Sequence, residues 1–266
     1  METYALFGNP VGHSLSPLMH NAAYEQMGID ARYLSFRVGD VVEAVAKIRA
    51  MGIQGASVTL PFKSEILRHL DGVDGSARII GAVNTVTNRG GKLWGHNTDW
   101  LGLVESLREC IEIGGRNFVI LGTGGTARAA VFGVQREGGI PWVAGRSIAK
   151  AEALAAEFRC PSLPLGEIGT VQAECLINAT PVGMFPDTAS SPVGRDVLSR
   201  FGLVVDVIYN PPQTTLLREA REAGCAVLSG VGMFVCQGAG QIRLWTGMEP
   251  PLARMREVVM ERLKEG

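Results

Sequence analysis

The sequence predicts an α/β protein of two domains, an N-terminal α/β domain followed by a doubly wound, Rossmann-like domain, and three observations predict it. Short β-rich runs alternate with amphipathic stretches through the first hundred residues, as parallel strands joined by helical crossovers require. A glycine-rich turn, Gly122-Thr123-Gly124-Gly125-Thr126-Ala127, stands directly between the run Phe118-Val119-Ile120-Leu121 and an apolar helical stretch. The chain's 266 residues exceed the roughly 100–200 of one ordinary domain, which favours two domains of moderate size.

Tyr4 to Phe7 reads as the first strand, with a helix after Ser16-Pro17. Tyr33 to Phe36 reads as a strand, Val41 to Met51 as a helix, and Ala56 to Leu60 as a strand ended by Pro61. Val83 to Thr87 and Lys92 to Gly95 flank Asn88-Arg89-Gly90-Gly91, whose glycines supply the positive φ values of a hairpin turn. This hairpin is expected to bring Asn84 and Asp99 near one edge. A second pattern runs through strand 118–121, helix 129–135, strand 142–144, helix 148–158 and strands at 176–177 and 203–208, the order of a dinucleotide-binding fold. Val231 to Gly247 is apolar at helical spacing and Leu252 to Leu263 is a charged amphipathic helix; periodicity does not say where either packs. There is no internal repeat and no low-complexity linker, so the domain boundary is read only as near Asp99 to Glu112.

Composition narrows the function. With 46% hydrophobic and 19% charged residues the chain can bury a sizeable core. Lys and Arg number 25 against 26 Asp and Glu, so no positive field favours nucleic acid. The N-terminus METYALFGNP lacks a basic segment followed by an apolar stretch, and no apolar run approaches the ~18 residues of a membrane span, so the expectation is a soluble cytoplasmic protein without a membrane partner. Five scattered cysteines, Cys110, Cys160, Cys175, Cys225 and Cys236, form no C-x-x-C pair. They read as reduced, buried packing residues, and no metal site is expected.

In the glycine loop, Gly122 permits the tight turn and Gly124 lets the backbone approach a pyrophosphate, while the following helix N-terminus offers N–H groups and partial positive charge. Ala127 replaces the third glycine of the motif. The end of the next strand carries Gly145-Arg146-Ser147, with Lys150 one turn later, where an acidic residue would mark NAD. Arginine there suits the 2′-phosphate of NADP; the plainer reading is a solvated basic helix start. For carbonyl reduction a proton donor is needed, and no Tyr-x-x-x-Lys pair exists. The candidates are Lys63, after Pro61-Phe62, and Asp99, in Asn97-Thr98-Asp99, although singly a lysine there reads as a surface residue and an aspartate as a helix cap.

Taken together, Phe7-Gly8-Asn9-Pro10-Val11-Gly12-His13-Ser14-Leu15-Ser16-Pro17, Val58-Thr59-Leu60-Pro61-Phe62-Lys63, Gly81-Ala82-Val83-Asn84-Thr85, Asn97-Thr98-Asp99, the glycine loop, Asn178-Ala179-Thr180, Tyr209-Asn210-Pro211 and Gln237 resemble, in order and spacing across essentially the whole chain, the shikimate dehydrogenases. The resemblance implies a substrate-binding domain of residues 1–100 plus 238–266, with the C-terminal helices packing back on it, and an NADP-binding domain of residues 101–237. It implies NADPH-dependent reduction of 3-dehydroshikimate, with Lys63 and Asp99 catalytic. Ser14 and Ser16 would bind the substrate carboxylate, Thr59, Asn84, Asp99 and Gln237 its ring hydroxyls, and Tyr209 would approach from the cofactor domain. Gly122, Gly124, Gly125, Thr126, Ala127, Gly145, Arg146, Ser147, Lys150 and Thr180 would hold the cofactor. Lys63 would need its proton affinity lowered for chemistry near neutrality while Asp99 opposes that, so which of the two moves the proton stays open.

One departure stands out: many members carry Asn before Val-Thr in the lysine loop, where this chain has Ser57, with a shorter reach. His13 and His96 read as local hydrogen-bonding residues, Met233 and Phe234 as packing. Alternatives are a quinate/shikimate dehydrogenase using NAD, against which Arg146 speaks, and a non-catalytic NADPH-binding regulator, against which Lys63 and Asp99 speak. A glutamyl-tRNA reductase-like protein would need a cysteine before Cys110. Whether the chain forms a homodimer is left open.

Overall fold

In the computed structural model, which describes residues 1–265, the chain divides into two units: Met1–Gly102 with Val235–Gly266, of which Gly266 is outside the described residues, and Leu103–Phe234. The first unit holds β1 (Glu2–Gly8), α1 (Ser16–Met27), β2 (Ala31–Arg37), α2 (Val41–Ala50), β3 (Gly55–Val58), β4 (Gly72–Val73), α3 (Gly75–Ile80), β5 (Thr85–Arg89), β6 (Lys92–His96) and the start of α4 (Asp99–Arg108). Its sheet runs β2-β1-β3-β5-β6-β4. β1 pairs parallel with both neighbours, whereas β5 is antiparallel to β3 and β6. Being central, β1 is buried on both faces from Tyr4 on, which is why it reads as a continuous apolar run rather than an alternating one.

The hairpin is tighter than the sequence suggests. Arg89 pairs with Lys92, so the turn is Gly90-Gly91 alone, at φ of 61° and 86°. Positive φ at both central residues is the turn whose twist matches the strands, and it lets β5 extend through Asn88 and Arg89. β3 stops at Val58, two residues before the expected end, and the Val58 amide donates to the Asn84 carbonyl just ahead of β5. The short β4 and α3 carry too few residues for a period to show.

The second unit contains β7 (Asn117–Leu121), α5 (Gly125–Arg136), β8 (Ile140–Gly145), α6 (Ile148–Phe158), β9 (Ser162–Pro164), β10 (Cys175–Asn178), β11 (Leu203–Asp206), α7 (Thr215–Glu222) and β12 (Ala226–Leu228). Every strand pair is parallel, in the order β12-β11-β10-β7-β8-β9. The order reverses between β7 and β10, the switch point outside whose carboxyl ends such sheets bind ligands. β11 ends at Asp206 rather than Ile208, because the Asp206 carboxylate accepts from the Ile208 amide and turns the chain. α8 (Val231–Thr246) and α9 (Leu252–Glu265) complete the chain, and α9 packs against α1 in the first unit. Among the described residues no helix is long and apolar enough to cross a membrane. Among the described residues none of the five cysteines is in a disulfide; Cys110 is exposed and Cys160 half-buried, so a buried packing role holds only for Cys175, Cys225 and Cys236.

Two buried titratable groups give opposite pH signatures. Burial pushes the His20 imidazole down from 6.5 to about 4, although the Ser16 carbonyl opposes the shift. Stability from neutral His20 is present above pH 6.5 and is lost as pH falls toward 4. Burial pushes the Asp206 carboxyl up from 3.8 to about 6, against the donors Thr214, Ile208 and Asn178. Its contribution is whole below pH 3.8 and lost as pH rises through 6. Each is worth about 3 kcal/mol, so they largely cancel in the parent. In Asp206→Asn the His20 slope should stand alone, and urea unfolding at pH 4 and pH 6.5 should show a steeper gain in stability than in the parent. Parallel curves would remove Asp206 from the account.

Candidate active site

Lys63 lies in the turn after β3, where its carbonyl accepts the Val83 amide at 2.7 Å and so anchors it beside Asn84. Its ammonium donates to Asp99 Oδ2 at 2.7 Å, and the two side chains are only 13% and 7% exposed, so neither is a surface residue. Asp99 opens α4 but does not cap it. Asn97 Oδ1 accepts from the Asp99 and Trp100 amides at 3.0 and 3.4 Å, while its Nδ2 donates to the Ala82 carbonyl, which leaves the Asp99 carboxylate for other partners. Asn84, fully enclosed, is one of them: its Nδ2 donates to Asp99 Oδ1 at 2.8 Å, to Thr98 Oγ1 at 2.9 Å and to Gln237 Oε1 at 3.3 Å. Its Oδ1 accepts from the Thr98 amide and from Thr85 Oγ1, both at 2.7 Å.

The structure therefore joins Lys63, Asn84, Asp99 and Gln237 in one hydrogen-bonded group within the first unit. Ser14 and Ser16 form a second group, with hydroxyl oxygens 3.1 Å apart. The N-cap of α1 is Leu15, and Ser14 Oγ accepts the Ser16 amide at 3.2 Å, which holds both serines at the start of that helix. Thr59 follows β3, its amide bonded to the Phe7 carbonyl. The Ser57 hydroxyl is held between Tyr33 and Gln241. His13 is exposed, and His96 sits between Asp74 and Thr87 as a local hydrogen-bonding residue. Thr85, Thr98 and Gln241 were not singled out from the sequence. Gln241 had a signal, since it stands four residues after Gln237 and so shares its helical face.

In the second unit the glycine loop takes the geometry a pyrophosphate needs. Gly122 has φ of 119°, and a Cβ there would stand 3.0 Å from the Ala179 carbonyl oxygen, so only glycine fits. Gly124 is the N-cap of α5, brings no side chain to cap the first-turn amides, and faces open space on its Cβ side. Gly125 and Thr126 form that first turn, and Ala127 is fully buried, as close packing of helix on strand requires. β8 ends at Gly145; Arg146 and Lys150 are exposed, and Ser147 caps α6 by accepting from the Lys150 amide. Thr180 donates through both its amide and its hydroxyl to Asn178 Oδ1, which fixes the loop after β10. Uncapped amides with two flanking cations and no acidic residue fit a dinucleotide carrying a 2′-phosphate. Tyr209 stacks on Phe234, centroids 4.1 Å apart, and Met233 is buried, so both residues of the 233–234 pair serve packing.

A family model described as the shikimate dehydrogenase substrate binding domain matches residues 6–86, and one described as the shikimate 5′-dehydrogenase C-terminal domain matches residues 230–260. The chain is 42% identical over 268 residues to a shikimate dehydrogenase (NADP(+)) of Pyrococcus abyssi, covering 100% of both chains. It is 43% identical over 273 residues to that of Geobacillus kaustophilus, covering 99% of each. Among solved structures, shikimate 5-dehydrogenase from Thermus thermophilus in complex with NADP(H) and shikimate superposes with a TM-score of 0.91 at 38% identity, over 98% of this chain and 99% of that one.

The glycine loop yields a separable test. A Cβ at Gly124 meets no protein atom within 4 Å, whereas any side chain at Gly122 is strained whatever the space. Gly124→Val should keep the parental melting temperature yet bind NADPH at least about 10-fold more weakly, by blocking the close approach of the pyrophosphate. Gly122→Val should lose stability first. Unchanged nucleotide affinity in Gly124→Val would show that the loop is only a turn.

Proposed function

The chain belongs to the shikimate dehydrogenase family, NADP-dependent oxidoreductases that reduce 3-dehydroshikimate reversibly to shikimate on the route to chorismate and the aromatic amino acids, and we propose that Lys63 and Asp99 are the pair through which it does so. The observation that carries the assignment is the 2.7 Å contact of Lys63 Nζ with Asp99 Oδ2, enclosed and braced by Asn84. Bound NADPH supplies the hydride. Lys63, an ammonium with three N–H bonds, can keep one on Asp99 and give another proton to the oxygen that becomes the C3 hydroxyl. Asp99 has no proton to give as a carboxylate; it holds the ammonium in place and accepts from a neighbouring substrate hydroxyl. In the oxidative direction Lys63, as the free amine, takes that proton back.

The paired hydroxyls of Ser14 and Ser16 suit the substrate carboxylate, each able to donate a charge-assisted hydrogen bond. Thr59, Asn84 and Gln237 are assigned to ring hydroxyls, and Tyr209 is proposed as a further substrate contact. Gly122, Gly124, Gly125, Thr126, Ala127 and Thr180 are assigned to the cofactor backbone, and Gly145, Arg146, Ser147 and Lys150 to its 2′-phosphate. Five cysteines outside any disulfide support a reducing, cytosolic setting. All the proposed residues come from one chain, and a homodimer is compatible with the assignment.

Lys63→Ala should lower kcat by roughly 10²- to 10⁴-fold with NADPH affinity unchanged, the range for a lost proton donor. Asp99→Asn should lower kcat and raise KM, because an amide accepts a hydrogen bond but holds no ammonium. Full turnover in purified Lys63→Ala would end the assignment. Arg146→Ala should reduce kcat/KM for NADPH by roughly 10- to 150-fold, the equivalent of one charge-assisted bond, and leave NADH turnover almost unmoved. Equal losses with both cofactors would make the arginine a mere helix start.

A further inference from the structure

Behind Asn84 lies a layer of buried polar side chains that the reaction scheme does not use. Tyr33 donates through its hydroxyl to Ser57 Oγ at 2.6 Å, and Ser57 Oγ donates to Gln241 Oε1 at 2.9 Å. Gln241 Nε2 donates to the Asn84 carbonyl at 3.2 Å and to Thr85 Oγ1 at 3.1 Å. Tyr33, Ser57, Thr85 and Gln241 are all buried. We propose that Gln241 and Ser57 are positioning residues for the reacting pair: they fix the orientation of the Asn84 amide, and through it the Asp99 carboxylate and the Lys63 ammonium. The inference rests on Lys63 and Asp99 being that pair.

The direction of every bond follows from one carbonyl. The Asn84 carbonyl, already taking the Val58 amide at 2.8 Å, can only accept, so Gln241 must turn its Nε2 toward it. Oε1 then faces Ser57, whose single proton is committed to it, and Tyr33 must donate to the remaining lone pair. Thr85, with the Gln241 N–H on one lone pair, points its own proton at Asn84 Oδ1. Asn84 Oδ1 also takes the Thr98 amide, so a flipped Asn84 would set N–H against N–H. Its Nδ2 is therefore left facing Asp99 Oδ1, while Lys63 occupies Oδ2. Removing Gln241 or Ser57 frees the Thr85 hydroxyl to rotate, and the amide loses one of the two donors that hold it.

The pairing also gives Ser57 a role. A short side chain on β3 leaves room for Gln241, which leaves α8 on the face that carries Gln237 and reaches across to it. With its oxygen engaged by Tyr33 and Gln241, Ser57 serves the layer rather than the substrate.

The test uses the whole enzyme, with steady-state rates for shikimate and NADP from pH 5 to 10 in Ser57→Ala, Gln241→Leu, the double variant, Asp99→Asn and Lys63→Ala. Ser57→Ala and Gln241→Leu should each lower kcat by roughly 10- to 100-fold per folded molecule, the scale of a misplaced catalytic group, with NADP affinity unchanged and the KM for shikimate moving far less. The double variant should be no slower than the slower single, as for members of one relay. A purely structural role would lower the folded fraction alone, and parental kcat in the folded protein would overturn the inference. If Gln241→Leu does not fold, Ser57→Ala decides by itself. Parental turnover in Lys63→Ala and Asp99→Asn would overturn both the pair and this inference; loss there with parental behaviour in Ser57→Ala overturns this inference alone.

Discussion

The first unit is organised around the need to satisfy the buried Asn84 amide. It sits where the pairing of β3 and β5 begins, with its main-chain N–H on the His96 carbonyl, its carbonyl on Val58 and Gln241, and its side chain among Thr85, Thr98, Asp99 and Gln237. A buried amide left unpaired would cost about 1–3 kcal/mol for each lost partner, so these neighbours must be where they are for the unit to fold. The pairing of Thr85 with His96 in the β5–β6 hairpin is part of the same requirement, since a slip of one residue would turn Asn84 away from Asp99. Folding and placement of the Lys63–Asp99 pair are thus one problem, solved by the same hydrogen bonds.

The second unit meets a different requirement, carried by backbone rather than side chains. The reversal of strand order between β7 and β10 opens a site at their carboxyl ends, and Gly122 and Gly124 keep side chains out of it. Asn178 and Asp206, at the ends of β10 and β11, bond to each other at 3.1 Å and to the loops that follow, which holds the loop bearing Thr180. Burial of Asp206 holds its proton at mildly acid pH, yet its donors keep it in place in either state. The proposed specificity for NADP would rest on two exposed cations at the end of β8, which need no packing to work.

Much of this was legible in advance, and unevenly so. Both ends of helix α6 are legible because Gly145-Arg146-Ser147 marks its start and the apolar spacing runs to Phe158. Helix α5 was read as starting at Ala129, four residues late, since Gly125 and Thr126 have low helix propensity and give no periodic signal. The hairpin was placed but its turn was drawn two residues too long. Lys63 and Asp99 were weak candidates singly and became strong ones through the other motifs in order along the chain. Cys110, read as packing, is exposed. Gln241 is hard to single out because glutamine on an apolar helix is compatible with many environments; its spacing from Gln237 marks the helical face, and its partners give it the role.

The sequence by itself determined the strand order's raw material, the glycine loop, the family and the identity of the charged pair, because these depend on local periodicity, on positive φ and on motifs in linear order. Tertiary structure alone decided that Asn97 and not Asp99 caps α4, that Ser57 faces Tyr33 and Gln241, and that Asn84 links residues as distant in the chain as Val58 and Gln241. The physical reason is that a hydrogen bond has direction. Which way a buried amide or hydroxyl points is set by every partner around it at once, and those partners are brought together only by the fold.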